Sequence, residues 1–114
     1  MENITDKADD MILAEDLRPS SLPVEKLRNL GPKSAALLRA AGYEDLGALR
    51  RAGAVAVFRR LKATAPRRVS RVMLYALQGA IMDVHWNALP FAMKEALLEN
   101  LAAEEDHASS PRHQ

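Results

Sequence analysis

The residues best suited to chemistry in this chain lie in one turn, Gly31-Pro32-Lys33-Ser34. Residues 27–42, LRNLGPKSAALLRAAG, predict a helix, a tight glycine turn and a second helix that has proline in its first turn, where no hydrogen bond is lost. The first backbone N–H groups of the second helix have no intrahelical partner, and Lys33 stands beside them. Such a helix start binds phosphate. The alternative is a packing hairpin without a ligand, and this stretch alone does not decide between the two.

Positive charge is concentrated in the part of the chain that this turn opens. Residues 24–71 carry twelve Lys or Arg against three acids, a net charge of +9, whereas residues 1–23 and residues 72–114 each carry −4. A basic segment favours an acidic partner, above all double-stranded DNA, whose backbone it would contact without reading sequence. The alternative is that the cations are only the solvated faces of short helices. The residues expected to contact DNA are Asn29, Gly31, Lys33, Ser34, Arg50, Arg51, Arg59, Arg60, Lys62, Arg67, Arg68 and Arg71.

A second candidate surface is apolar and lies near the only tryptophan. His85, Trp86 and Phe91, with methionines nearby, can form an adaptable surface for a partner protein or a second copy of the chain. The alternative is that Trp86 closes the core between the last two helices, since a domain this small needs its one tryptophan for packing.

Catalysis and metal binding are not expected. The chain has no Cys and only three His, of which His107 and His113 lie near the C-terminus. Asp83 and His85 are two residues apart and point to different faces of a helix, so they form neither a metal site nor an acid–base pair. No glycine-rich phosphate loop follows a strand. The sequence therefore predicts a non-catalytic protein without a cofactor or metal.

The elements that position these residues are helical. The apolar spacing predicts helices over residues 24–30, 32–41, 46–52 and 54–65, a long helix from the cap Ser70 to Trp86, and a sixth that begins near Pro90. No segment alternates as a strand does. We expect a compact all-α domain of five to six helices that contains a helix-hairpin-helix-like unit, with the most apolar helix, the fifth, in its middle.

The domain is expected to span residues 24–105, between an acidic flexible arm of residues 1–23 and a disordered tail of residues 106–114. The first residues lack the basic and apolar regions of a secretory signal, and no apolar run reaches the roughly 20 residues that a membrane span needs. A cytoplasmic protein with no membrane partner is therefore expected.

Three stretches carry a resemblance to a known family. LRNLGPKSAALLRAAG at 27–42, LGALRRAGAVAVFRRL at 46–61 and SRVMLYALQGAIMDVHWNALP at 70–90 resemble the C-terminal domain of the TfoX/Sxy family, bacterial regulators of natural competence. The turn at residues 29–34 is similar also to the DNA-contacting hairpin of the C-terminal domain of the bacterial RNA polymerase α subunit. Full-length TfoX proteins carry an N-terminal domain, so a stand-alone C-terminal domain is expected here.

The resemblance implies a small helical domain that acts in transcription regulation and competence rather than in catalysis. Together with the basic segment it predicts a regulatory module that contacts the DNA backbone through the hairpin turn and a basic patch. The alternative is a module that binds a transcription regulator or an RNA polymerase component and does not touch DNA.

Overall fold

The computed structural model describes residues 17–109, with side chains described as far as Ala103. Within this part of the chain the predicted all-α class is confirmed. The α-helices are α1 (Pro32–Ala40), α2 (Leu46–Ala52), α3 (Ala54–Thr64), α4 (Arg71–Met82) and α5 (Phe91–Ser109), and 3-10 helices cover Val24–Lys26, Pro66–Arg68 and Trp86–Ala88. Most of the predicted acidic arm and the last five residues of the predicted tail lie outside the described residues.

The hairpin turn keeps its second helix but not its first. Where the sequence predicts a helix over residues 24–30, the structure has a three-residue 3-10 helix. It ends because Leu27 is extended, with ψ 146°, and because Asn29 adopts the left-handed conformation, with φ 75°. A helix-hairpin-helix unit with two helical arms is therefore not shown by the described residues. α1 begins at Pro32 as predicted, and Gly42 takes a positive φ of 99° just after it.

The start of α2 is tied to the segment that precedes the first 3-10 helix. Asp45 caps α2, because its Oδ1 accepts the Ala48 N–H at 2.9 Å. The Gly47 N–H donates to the Ser20 carbonyl at 2.8 Å, and an isolated antiparallel bridge joins Pro23 to Asp45. Residues 20–24 therefore lie along the start of α2.

The core lies around α3, which packs against α2, α4 and α5. The fifth predicted helix, α4, is less central than expected, because one side of it reaches solvent: Val72 is 45% exposed and Met82 is 36% exposed. Its other side is buried against α2 and α3. The fully buried large side chains are Val24, Leu38, Leu46, Leu49, Val57, Leu61, Leu74 and Leu77.

α4 ends at Met82, four residues before the predicted end. Asp83 adopts the left-handed conformation, with φ 62°, which short polar side chains tolerate better than most others. The chain then turns back, and the Val84 N–H donates to the Gly79 carbonyl at 2.9 Å. Arg18 satisfies two further carbonyls at this helix end, those of Ala80 at 2.8 Å and Ile81 at 2.7 Å.

Asn29 connects the hairpin turn to this same end of α4. Its Nδ2 donates to the carbonyls of Val84 at 2.9 Å and Ala76 at 3.3 Å, and its Oδ1 accepts the Trp86 N–H at 3.2 Å. We call this group of hydrogen bonds the Asn29 clamp. It depends on Gly79, because a Cβ there would lie 2.4 Å from the Asn29 Nδ2 and 2.6 Å from the Val84 oxygen. The clamp therefore fixes where the hairpin turn lies on the domain.

We expect Gly79→Ala to lower the free energy of unfolding by about 1–3 kcal/mol, because the added methyl group overpacks the Asn29 clamp. In an Asn29→Ala background the loss should be smaller, since one of the two clashes is gone. The coupling of the two substitutions, about 0.5–3 kcal/mol for residues in contact, is measured by urea denaturation of the single and double variants.

The matched control is Asn87→Ala, which removes an exposed asparagine side chain from the neighbouring 3-10 helix. Its effect should add to that of Gly79→Ala within about 0.5 kcal/mol. Additive effects of Asn29→Ala and Gly79→Ala would contradict the clamp.

Candidate nucleic-acid interface

The hairpin turn presents an open helix start. Gly31 is the N-cap of the nine-residue helix α1 and offers no side-chain acceptor, and no acidic residue lies in the first turn. A Cβ placed on Gly31 would meet nothing within 4 Å, so a ligand can approach the backbone closely. Pro32 has no N–H, which leaves the amides of Lys33 and Ser34 at the helix start. Lys33 is exposed and lies in the first turn of α1, where a cation can add to the attraction that these amides offer to an anion.

Asn29 serves the fold at this turn. Its amide nitrogen and oxygen both take part in the clamp to α4, and its side chain is half-buried. Sequence reasoning placed Asn29 among the DNA-contacting residues. In the structure its evident role is to position the turn that carries Lys33 and Ser34.

The second group of predicted site residues surrounds the 3-10 helix that joins α3 to α4. The Lys62 Nζ donates to the carbonyls of Pro66 at 3.1 Å and Val69 at 2.8 Å, which folds the connection back on the end of α3. The connection is anchored by Val69, which is 3% exposed. We call Lys62, Arg67, Arg68 and Arg71 the basic turn, and all four are exposed.

The helix that follows the basic turn adds to its positive potential. Ser70, the predicted cap of α4, takes the N-cap position but its side chain makes no cap hydrogen bond, and no acidic residue lies in the first turn. Arg71 occupies the first position of α4, where a cation opposes the helix dipole. The chain thus keeps a cation at a place where folding alone favours an anion.

Two of the three acids of residues 24–71, and Asp83 further along the chain, pair with cations outside the basic turn. Arg39 pairs with Glu25 and, at 3.4 Å, with Glu44, and Arg28 pairs with Asp83 at 3.2 Å. The hydrogen bond from Arg39 lowers the pKa of Glu25 below its ordinary value and raises the pKa of Arg39. By contrast, no acid within residues 17–103 pairs with Lys33, with Arg60 or with any cation of the basic turn.

The remaining predicted cations are more dispersed. Arg50 and Arg59 are half-buried, and Arg51 and Arg60 are exposed. Arg59 lies beside Lys62 on a groove between α3 and α5. Among the described residues no hydrogen bond or ion pair joins the hairpin turn to the basic turn. From the predicted set, the structure thus groups Lys62, Arg67, Arg68 and Arg71 around one connection, with no bond from them to the hairpin turn among the described residues.

The predicted partner surface divides in two. Trp86 is half-buried and stacks between Tyr75, with ring centroids 6.4 Å apart, and His85, with ring centroids 5.9 Å apart. The Lys94 Nζ lies 5.4 Å from the centre of the Tyr75 ring and 5.6 Å from that of Trp86. Phe91, in contrast, is 73% exposed. Sequence reasoning did not find Lys94, because its contact depends on how α5 lies over α4.

Membrane-spanning helices and metal-binding clusters are both absent from the described residues. No helix among them is long and apolar enough to span a membrane. No group of three or more His, Asp or Glu side chains in the same part of the chain is placed to hold a metal ion.

The ion pair at Arg39 gives a pH-dependent prediction. Because Arg39 stabilises the ionised carboxylate, the pKa of Glu25 should be low, and its contribution to stability should be present at neutral pH and decline as pH falls through that lowered pKa. Arg39→Met should raise the pKa of Glu25 towards that of an ordinary glutamate, as measured by carbon NMR of the carboxyl group. An unchanged Glu25 titration in Arg39→Met would contradict the pairing, and Arg60→Met serves as the control.

Comparison with known proteins identifies the domain. The family model of the TfoX C-terminal domain matches residues 21–101. The fold is similar to that of an uncharacterized protein from Listeria monocytogenes, with a TM-score of 0.66 and 28% identity over 73% of this chain and 93% of that one. No curated protein matches the chain. The match over residues 21–101 covers nearly all of the folded part described above, and the chain belongs to the TfoX C-terminal domain family.

Proposed function

We propose that this regulatory domain binds the backbone of double-stranded DNA through the basic turn and the hairpin turn. The observation that carries the proposal is the basic turn itself: four exposed cations around one connection, none of them paired with an acid of the described residues. Unpaired cations give the protein surface a positive potential that attracts a polyanion. DNA releases its condensed counterions when such cations contact its phosphates, and this release favours the complex.

The two features would contact phosphates in different ways. The basic turn offers long side chains, and arginine can hold a phosphate with two parallel hydrogen bonds. The hairpin turn offers the amides of Lys33 and Ser34 together with the Lys33 ammonium group, a fixed site whose position the Asn29 clamp sets. Such contacts place a protein on a duplex without reading bases, so binding should be weakly sequence-selective.

Membership of the TfoX C-terminal domain family supports a regulatory rather than an enzymatic role. We infer that the process is transcription regulation connected with natural competence in a bacterial cytoplasm. In that setting DNA backbone binding would keep the domain near promoters while another contact supplies specificity.

A second candidate function is binding to a transcription regulator or an RNA polymerase component. Phe91 favours it, since a phenylalanine that is 73% exposed can anchor a partner protein. In this case the domain would form a protein–protein contact through Phe91 and His85 with no direct DNA binding.

Fluorescence anisotropy with a short labelled duplex, repeated over a range of salt concentrations, tests the DNA proposal. The wild-type chain should bind at low salt, and its affinity should fall steeply as salt rises. Arg67→Ala/Arg68→Ala should reduce the salt slope by about 2 and Lys33→Ala by about 1, because each lost cation removes one phosphate contact. Arg59→Glu/Arg60→Glu should also weaken binding.

Lys26→Ala is the matched control, since it removes an exposed lysine that belongs to neither feature. It should leave the salt slope unchanged. Absence of binding by the wild-type chain at low salt would overturn the DNA proposal. Loss of partner capture in Phe91→Ser, with DNA binding absent, would favour the second candidate.

A further inference from the structure

The described residues form a groove between α3 and α5 that the proposed DNA contacts do not fully use. It has a volume of about 440 Å³ and is lined by Phe58, Lys62, Arg71, Leu98, Leu101 and Ala102. A smaller hollow of about 230 Å³, lined in part by the same Phe58, Lys62 and Leu101, adjoins it. The groove thus combines an apolar floor with a cationic rim, the surface that an acidic amphipathic segment fits.

The chain contains such a segment outside the described residues. Residues 1–16 carry one Lys against six acids, a net charge of −5. Three consecutive apolar residues, Met11, Ile12 and Leu13, lie between Asp10 and Glu15. The apolar triplet matches the apolar floor of the groove, and the acids on either side of it match the cationic rim.

The attachment point of this segment lies at one end of α4, and Arg71, at the other end, lines the groove. Arg18 is held at the C-terminal end of α4 by its hydrogen bonds to Ala80 and Ile81. Arg71, at the other end of α4, lies nine residues before Ala80, or about 14 Å along the helix axis. An extended chain covers about 3.3 Å per residue, so Ile12 can lie roughly 16 Å from Leu17. The extended length from Leu17 to Ile12 is thus comparable with the length of α4 between Ala80 and Arg71.

We propose that residues 1–16 dock in the groove between α3 and α5 of their own chain, with Met11, Ile12 and Leu13 on the apolar floor. The flanking acids then lie beside Lys62 and Arg71, where opposite charge favours them. Intramolecular docking needs little intrinsic affinity, because a short tether gives the segment a high effective concentration. The docking goes beyond the proposed function and does not require that the domain bind DNA.

The test uses the full chain and its lack of cysteine. Ala8→Cys creates a single site for a nitroxide spin label, since the sequence contains no other Cys. Paramagnetic broadening of the amide and methyl NMR signals is then measured along the whole domain. We expect loss of signal at Lys62, Leu98 and Leu101, and retained signal at Glu44. The loss should diminish as salt is raised.

Two matched pairs of variants separate docking from general attraction. Ile12→Ser should abolish the broadening at the groove and Ile4→Ser should not, although both change the same residue type in the same segment. Arg71→Glu should weaken the broadening and Lys26→Glu should not, although both reverse one exposed charge. Unchanged helical circular dichroism of the Ile4→Ser and Ile12→Ser chains checks that both variants keep the folded domain.

The remaining outcomes each overturn the proposal. Broadening confined to Arg67 and Arg68 would mean attraction to the basic turn without docking in the groove. Broadening seen only when spin-labelled chain is mixed with an isotope-labelled, unmodified chain would mean that the segment binds a second copy. Absence of broadening at the groove at low salt would mean that the segment does not occupy it.

Discussion

The structure depends on the contact between one asparagine and the end of one helix. The Asn29 side chain donates to the carbonyls of Val84 and Ala76 and accepts the Trp86 N–H, so it joins the hairpin turn to α4 and to the chain that follows α4. Gly79 makes the approach possible by having no side chain. Arg18 satisfies two further carbonyls of the same helix end. Arg18 and Asn29, two separate parts of the chain, therefore both hold the C-terminal end of α4, and Arg18 does so by bonding two of the last carbonyls of the helix.

The hydrogen bonds of Asn29 also determine how the hairpin turn is presented at the surface. Asn29 is in the left-handed conformation, which costs free energy for a residue other than glycine. Its three hydrogen bonds compensate for that cost and hold the start of α1 outward, with Lys33 exposed. The basic turn is held independently, by the hydrogen bonds of Lys62 to Pro66 and Val69. The backbone of each turn is thus fixed on the domain by side-chain hydrogen bonds, those of Asn29 for the hairpin turn and those of Lys62 for the basic turn.

The helical class and most helix starts could be predicted from the sequence, because proline, aspartate and the apolar spacing act locally. Pro32 and Asp45 begin α1 and α2 where expected. The errors came where tertiary contacts decide the backbone. The first predicted helix is interrupted since Asn29 is needed at α4, and α4 ends early at Asp83, whose side chain meets Arg28.

In the candidate site, too, the features set by local sequence could be predicted and those set by tertiary contacts could not. The run of cations from Arg60 to Arg71 is visible in the sequence, and the structure adds that Lys62 folds it into one turn. The role of Asn29 could not be inferred, because its partners lie 47 to 57 residues away along the chain. The contact of Lys94 with Tyr75 and Trp86 was missed for a related reason, since it depends on the placement of α5.

The most direct test of the account is to map the DNA contact on the folded domain. An isotope-labelled chain titrated at low salt with a short duplex of arbitrary sequence should show amide shift changes at Arg67, Arg68 and Arg71 and at Lys33 and Ser34. Glu44 should be unaffected. Shift changes confined to the surface around Trp86 and Phe91, or no changes at all, would contradict the account.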